Sequence, residues 1–131
     1  MSPQRVRRAS RDLARQPLET LGSVAGVQSA VLFSADGFEI AAHAADSAAA
    51  SRLAAIGSSL AALGSAISAE AGLHEFERST IESKDGSVTI MRVEGEQAMS
   101  LAVVAGRNAL LGQLLWATRQ CCQELARLIH Q

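Results

Sequence analysis

The sequence predicts an α/β fold of the α+β sandwich kind, with elements in the order α-β-β-α-β-β-β-α. Three observations predict it. Apolar residues recur at helical spacing near both ends and in the middle of the chain, with period-two runs between them. Two pairs, Asp36-Gly37 and Asp85-Gly86, stand between β-rich runs, as tight antiparallel turns require. The strands come in groups of two and three, so the βαβ alternation of a nucleotide-binding fold is missing. The expected sheet has five strands, mostly antiparallel. One long helix covers one face and the terminal helices cover the other.

Residues 1–16 read as a basic arm, either flexible or a short helix, with a thin stripe of Val6, Ala9 and Leu13 behind a Ser2-Pro3 start. The domain itself is expected to span residues 17–131. Pro17 suits a first helical position, Leu18, Leu21 and Val24 give a buried side, and Gly22 and Gly26 limit the length. From Val27 the period is two. Val27, Val31 and Phe33 share one face and Ala30 and Leu32 the other, so this sheet needs a layer on each side.

The long helix is expected over residues 46–72, with Asp46 as N-cap and Gly72 as stop. Leu53, Ile56, Leu60, Leu63 and Ile67 form one apolar stripe, expected to face the sheet. Ser51, Ala54, Ser58, Ala61, Ala62, Ser65 and Ala69 form the other side, where a water-facing helix would carry charge. That uncharged side is expected to meet a second polypeptide.

After Gly72 a polar segment containing Phe76, Arg78 and Ile81 reads as an edge strand, blunted by its charges. SVTIMRV and QAMSLAVVA complete a meander, the second being the most apolar and hence central. The last helix is expected over residues 107–131, with Asn108 as cap and Leu111, Leu114, Leu115, Thr118, Cys121, Cys122, Leu125, Leu128 and Ile129 on its buried face. Trp116 falls beside that stripe and reads first as a flanking core position, with a partner contact as the other reading.

At 131 residues the chain fits one domain. No unbroken run of about 18 apolar residues is present, and aromatics at 3% offer no stacking platform for bases. Residues 1–15 hold five arginines against one acid, while residues 16–131 hold seven basic and twelve acidic residues. The arm has no apolar stretch of a secretory leader. It fits a solvated tail or a weak contact with an anionic surface, and nucleic acid is not an expected partner. Adjacent Cys121 and Cys122 point about 100° apart in a helix and cannot bridge without distortion, which suits a reducing cytoplasm.

Reactive constellations are missing. The chain has no GxxxxGK[ST] or GxGxxG loop, no HExxH, no CxxC and no GxSxG elbow. His43, His74 and His130 are dispersed, and Asp36 and Asp85 read as turn residues whose following glycines relieve φ > 0 strain. Catalytic residues, cofactor and metal are therefore all expected to be none, and the chain is not expected to be an enzyme.

The segments at residues 26–43, 60–72 and 85–115, followed by the amphipathic last helix, together resemble the Roadblock/LC7 domain family in its stand-alone, bacterial, MglB-like form. The resemblance implies a homodimer in which the strand near residues 76–83 pairs with its two-fold mate and the long helices lie side by side. Phe76, Arg78 and Ile81 then join the small residues of the long helix at the interface. It also implies a regulator or scaffold for a small Ras-like GTPase, as activator or adaptor, which orders the GTPase's own machinery. Two other readings stand beside it: a small-molecule sensor module, and an architectural assembly subunit.

Overall fold

The computed structural model describes residues 3–130, and the side chains of residues 3, 4, 6 and 7 lie outside that description. The elements are α1 (Pro3–Gly22), β1 (Val27–Ser34), β2 (Glu39–His43), α2 (Ser47–Glu70), β3 (Arg78–Ser83), β4 (Gly86–Val93), β5 (Met99–Gly106) and α3 (Leu111–Ile129). This is the expected order. All pairings are antiparallel in one five-stranded sheet, β2-β1-β5-β4-β3, with the apolar β5 at its centre.

Pleat alternation divides the core into two clusters. Ala30 and Leu32 of β1, Met91 and Val93 of β4 and Leu101 and Val103 of β5 pack beneath α1 and α3. Val31, Phe33, Ile90 and Ala102 point the other way, beneath α2. Val27 joins the α1/α3 side instead of accompanying Val31, because the β1–β5 register shifts between Val27 and Ser29.

Two helix boundaries differ from the sequence reading. No second helix begins at Pro17: α1 runs through it from Pro3. Ser10, Ala14, Leu18 and Leu21 form one buried stripe spanning the proline, and burial of that stripe outweighs the hydrogen bond that Pro17 cannot donate. The Ser2 cap and the Val6 side chain lie outside the described residues. At the other end, α3 starts at Leu111 with Leu110 as its N-cap residue, so Asn108 is not the cap. Asp46 does cap α2, accepting from the Ala48 and Ala49 amides at 3.0 and 3.2 Å. Gly72, at φ +74°, ends it.

The two Asp-Gly turns work differently. Gly37 has φ +89°, as expected, whereas Gly86 is outside the left-handed region and is kept small by the Ala105 carbonyl of the neighbouring strand.

The largest correction concerns α2. Its buried residues are Ala50, Ala54 and Gly57, while Ile56, Leu63 and Ile67 are 68%, 59% and 68% exposed. The sheet supplies the bulk at this seam through Phe33, Ile90 and the loop residue Phe76, so the helix must supply small residues. A Cβ on Gly57 would stand 2.9 Å from Phe33 Cζ, and one on Gly64 would run into the Phe76 ring. By length and mean hydropathy alone α2 could cross a membrane, and here it lies on the sheet.

Gly57→Val is expected to destabilise the fold by about 1–3 kcal/mol in urea unfolding, because the fully buried Phe33 ring cannot yield without strain. Gly112→Ala, on α3 with open space around its Cβ, is expected to be neutral or stabilising by up to about 1 kcal/mol. Equal losses at both sites would contradict the packing assigned to α2.

Candidate interaction surface

The surface starts from two stripes on one helix. Ala50, Ala54, Gly57, Ala61 and Gly64 repeat at spacings of four, three, four and three, and Leu53, Ile56, Leu60, Leu63 and Ile67 repeat at three, four, three and four. At 100° per residue their centres lie roughly 100° apart. With the small stripe on the sheet, Leu53 and Leu60 are half-buried at the seam, and Ile56, Leu63 and Ile67 emerge on one flank. On the other flank Ala55 and Ser58 border Gly37 of the β1–β2 turn. The aliphatic flank therefore leans toward the β4–β3 side.

The edge strand beyond it is open. β3 pairs with β4 in unbroken register from Arg78↔Met91 to Ser83↔Gly86, and its outer side carries no strand. Ile81 stands opposite Val88, which packs into the α2-side cluster, so the half-exposed Ile81 side chain is on the α2 face of the sheet. Thr80 and Thr89 hydroxyls meet at 3.2 Å across the same pair. At the opposite edge β2 has five residues and a register shift opposite Leu32/Phe33, and Arg11 Nε donates to the Ile40 carbonyl at 3.2 Å. A bulged strand with a capped carbonyl is a poor template for strand addition, which leaves β3 as the available edge.

The ten expected interface residues divide accordingly. Ser51, Ala62, Ser65, Ala69, Arg78 and Ile81 are exposed, and Ser58 and Ala61 are half-buried. Ala54 and Phe76 belong to the chain's own interior, so neither is available to a partner. Phe76 precedes β3 and packs under Gly64. Ile56, Leu63 and Ile67 are the residues that sequence reasoning placed on the wrong side. Gly57 and Gly64, seven residues apart within the small stripe, were the signal that could have placed them, since each marks a close approach to the sheet.

Some of the charged groups near this surface are held in ion pairs. Arg92 bridges Glu75 and Glu94, and Arg119 reaches Glu77 at 3.4 Å. No group of three His, Cys, Asp or Glu that could hold a metal occurs among the described residues. The Cys121 thiol is pushed up to about 12, chiefly by burial and then by the Glu124 charge. Burial raises Cys122 further, with Cys121 adding to it. Neither is a nucleophile in this setting.

The Roadblock/LC7 domain profile matches residues 13–105. The chain belongs to the Roadblock/LC7 family. Its fold recurs in the gliding protein MglB from Thermus thermophilus, 22% identical with a TM-score of 0.82 over 92% of this chain and 91% of that one. An MglB with tetrameric arrangement is 24% identical, at 0.82 over 92% and 90%. A Roadblock/LC7 domain from Streptomyces avermitilis is 23% identical, at 0.77 over 89% and 94%. At these identities the likeness establishes the fold. A comparison with curated proteins finds no match.

Both thiols of this Roadblock/LC7 protein are expected to resist a disulfide reagent at pH 8 in the native state and to react on unfolding. Because folding raises both values, the unfolded chain ionises first. Their contribution to stability is complete below about pH 9 and is lost as pH climbs toward 12. Fast native-state labelling of either cysteine would contradict the burial.

Proposed function

We propose that this chain is a homodimeric, non-enzymatic regulator or scaffold for a small Ras-like GTPase, working in the cytoplasm as an activator or adaptor. The observation that carries the reading is the aliphatic flank of α2 beside the open edge of β3. Ile56, Leu63 and Ile67 form a contiguous apolar strip that water alone does not favour, and Ile81 continues it onto the sheet. A second copy related by a two-fold axis supplies both things this surface lacks. Its β3 completes the backbone hydrogen bonds of the edge, and its α2 covers the aliphatic flank.

Pairing through this flank rather than through the small residues changes the role of the remainder of α2. Ala55, Ser59, Ala62 and Ala66 lie outward, exposed and without charge. In the proposed dimer they form a shallow strip across both helices, and that strip is where a GTPase would dock. Small side chains give a flat surface with little conformational entropy to lose on binding. Membership of the Roadblock/LC7 family and the shared fold of the MglB proteins support this reading, as do two free cysteines suited to a reducing compartment.

Ile67→Glu is expected to weaken dimerisation by about 10–100-fold in sedimentation equilibrium, the loss of one well-buried aliphatic contact. Glu82→Pro, which deletes a donor on the outer side of β3, should give monomers with an unchanged circular dichroism spectrum. Immobilised wild-type chain should capture a GTPase in a manner that differs between GDP and a GTP analogue. Dimers of undiminished affinity in both variants would refute the interface, and nucleotide-independent or absent capture would refute the GTPase role.

A further inference from the structure

The helical layer on the other side of the sheet has a different chemistry, and the proposed dimer does not use it. α1 and α3 together carry seven arginines and three acids, a net charge of +4. The remainder of the chain carries five basic and ten acidic residues, net −5. Charge is thus segregated by layer in a molecule whose total is −1. Arg8 and Arg15 are exposed on α1, and the acids within the layer are Asp12, Glu19 and Glu124. Asp12 and Glu124 are occupied by Arg15 and Arg127, at 3.7 and 2.5 Å.

Between these two helices runs an open groove of about 620 Å³ whose walls include Pro17, Val24, Ala117 and Leu128. Trp116 stands at its side and is 65% exposed, which overturns its reading as a flanking core position. Leu13 on α1 is a second large apolar side chain left partly in water. An indole with an apolar body and one N–H donor, exposed on a helical layer of net positive charge, suits the boundary between headgroups and acyl chains. An acidic polypeptide would use the arginines but gives no reason for a bare indole on the same layer.

We infer that the α1/α3 layer is a docking surface for an anionic lipid bilayer, with Trp116 entering the interface and Arg8 and Arg15 lying among the headgroups. The face toward the membrane is then opposite the α2 face, and a bound dimer would present its outward strip to solution. The contact is peripheral and reversible. Basic side chains supply most of the attraction and fall off within a Debye length, and a single indole adds a shallow anchor.

Trp116 is the only tryptophan, so its emission reports this face alone. The test mixes the full chain with phosphatidylcholine vesicles, with or without phosphatidylglycerol, and measures both emission and co-sedimentation. The expected result is a blue shift and sedimentation with the anionic vesicles only, both lost near 1 M salt, where the Debye length is about 3 Å. Arg8→Gln with Arg15→Gln should weaken binding roughly 30-fold, at the usual contribution of two basic side chains near an anionic leaflet. Both substitutions lie at exposed positions, and an unchanged thermal melt confirms the fold. Three outcomes would overturn the inference: no binding to anionic vesicles, sedimentation with unshifted emission (binding through α2), or a double variant that binds like the wild type. A blue shift produced by polyglutamate and not by vesicles would replace the bilayer with an acidic protein. No GTPase enters this assay, so its failure leaves the reading of α2 and β3 intact.

Discussion

The rest of the structure depends on how closely α2 can approach the sheet. Phe33 is fully buried and its ring ends against Gly57, while Phe76, from outside any strand, packs against Gly64. Two aromatic rings take up the space that helix side chains normally occupy at such a seam, so the helix contributes Ala50, Ala54 and Gly57. Side chains at i and i+3 or i+4 share a face, and choosing the small stripe fixes the direction of every other residue on α2. The emergence of Ile56, Leu63 and Ile67 is thus a consequence of the core, not a separate surface feature. Repacking the seam with larger helix residues would rotate or lift α2 and alter the outer face together with the inner one.

The two sheet edges and the two helical layers give the molecule a direction. Arg11 reaches from α1 to the Ile40 carbonyl at the β2 edge, and β2 is short and bulged there. β3 is regular, and among the described residues no strand pairs with its outer side. Assembly through β3 with the other edge blunted closes at two copies, whereas two open edges would propagate. The layers differ as clearly, one with small side chains outward between Arg52 and Glu70, the other basic with an exposed indole. A protein with one regular, unpaired edge and two chemically unlike faces is suited to holding other components in a fixed relation.

Much of this fold was legible in the sequence, for reasons that are local. Asp46 and Gly72 mark their helix ends through side-chain acceptance and a positive φ, neither of which needs a partner element. Val31 and Phe33 against Ala30 and Leu32 divide correctly because alternation along one strand survives any tertiary context. What could not be read depends on comparison across the chain. Two stripes on α2 share the same spacing, and hydrophobicity alone selects the larger side chains as the buried ones. Deciding for the smaller requires knowing that Phe33 and Phe76 converge there from positions 43 residues apart in sequence. Pro17 reads as a helix start on propensity, and only the stripe from Ser10 to Leu21 shows that packing carries α1 through it. Trp116 likewise reads as core by type, and its exposure follows from the position of α1 beside α3.

The titratable groups lead to the same view of what the surface is for. Asp46 is occupied by two amides, Asp36 by the Ser34 hydroxyl within its turn, Glu75 and Glu94 by Arg92, and Glu124 by Arg127. The two thiols are buried and shifted away from reactivity. Groups that are committed to caps, turns and ion pairs maintain shape. Shape is also what the α2 seam enforces, through contacts with little freedom to relax. A regulator that acts by positioning needs a rigid frame more than it needs a reactive side chain. Here the same close packing that makes the frame rigid also turns the aliphatic flank outward, away from the core.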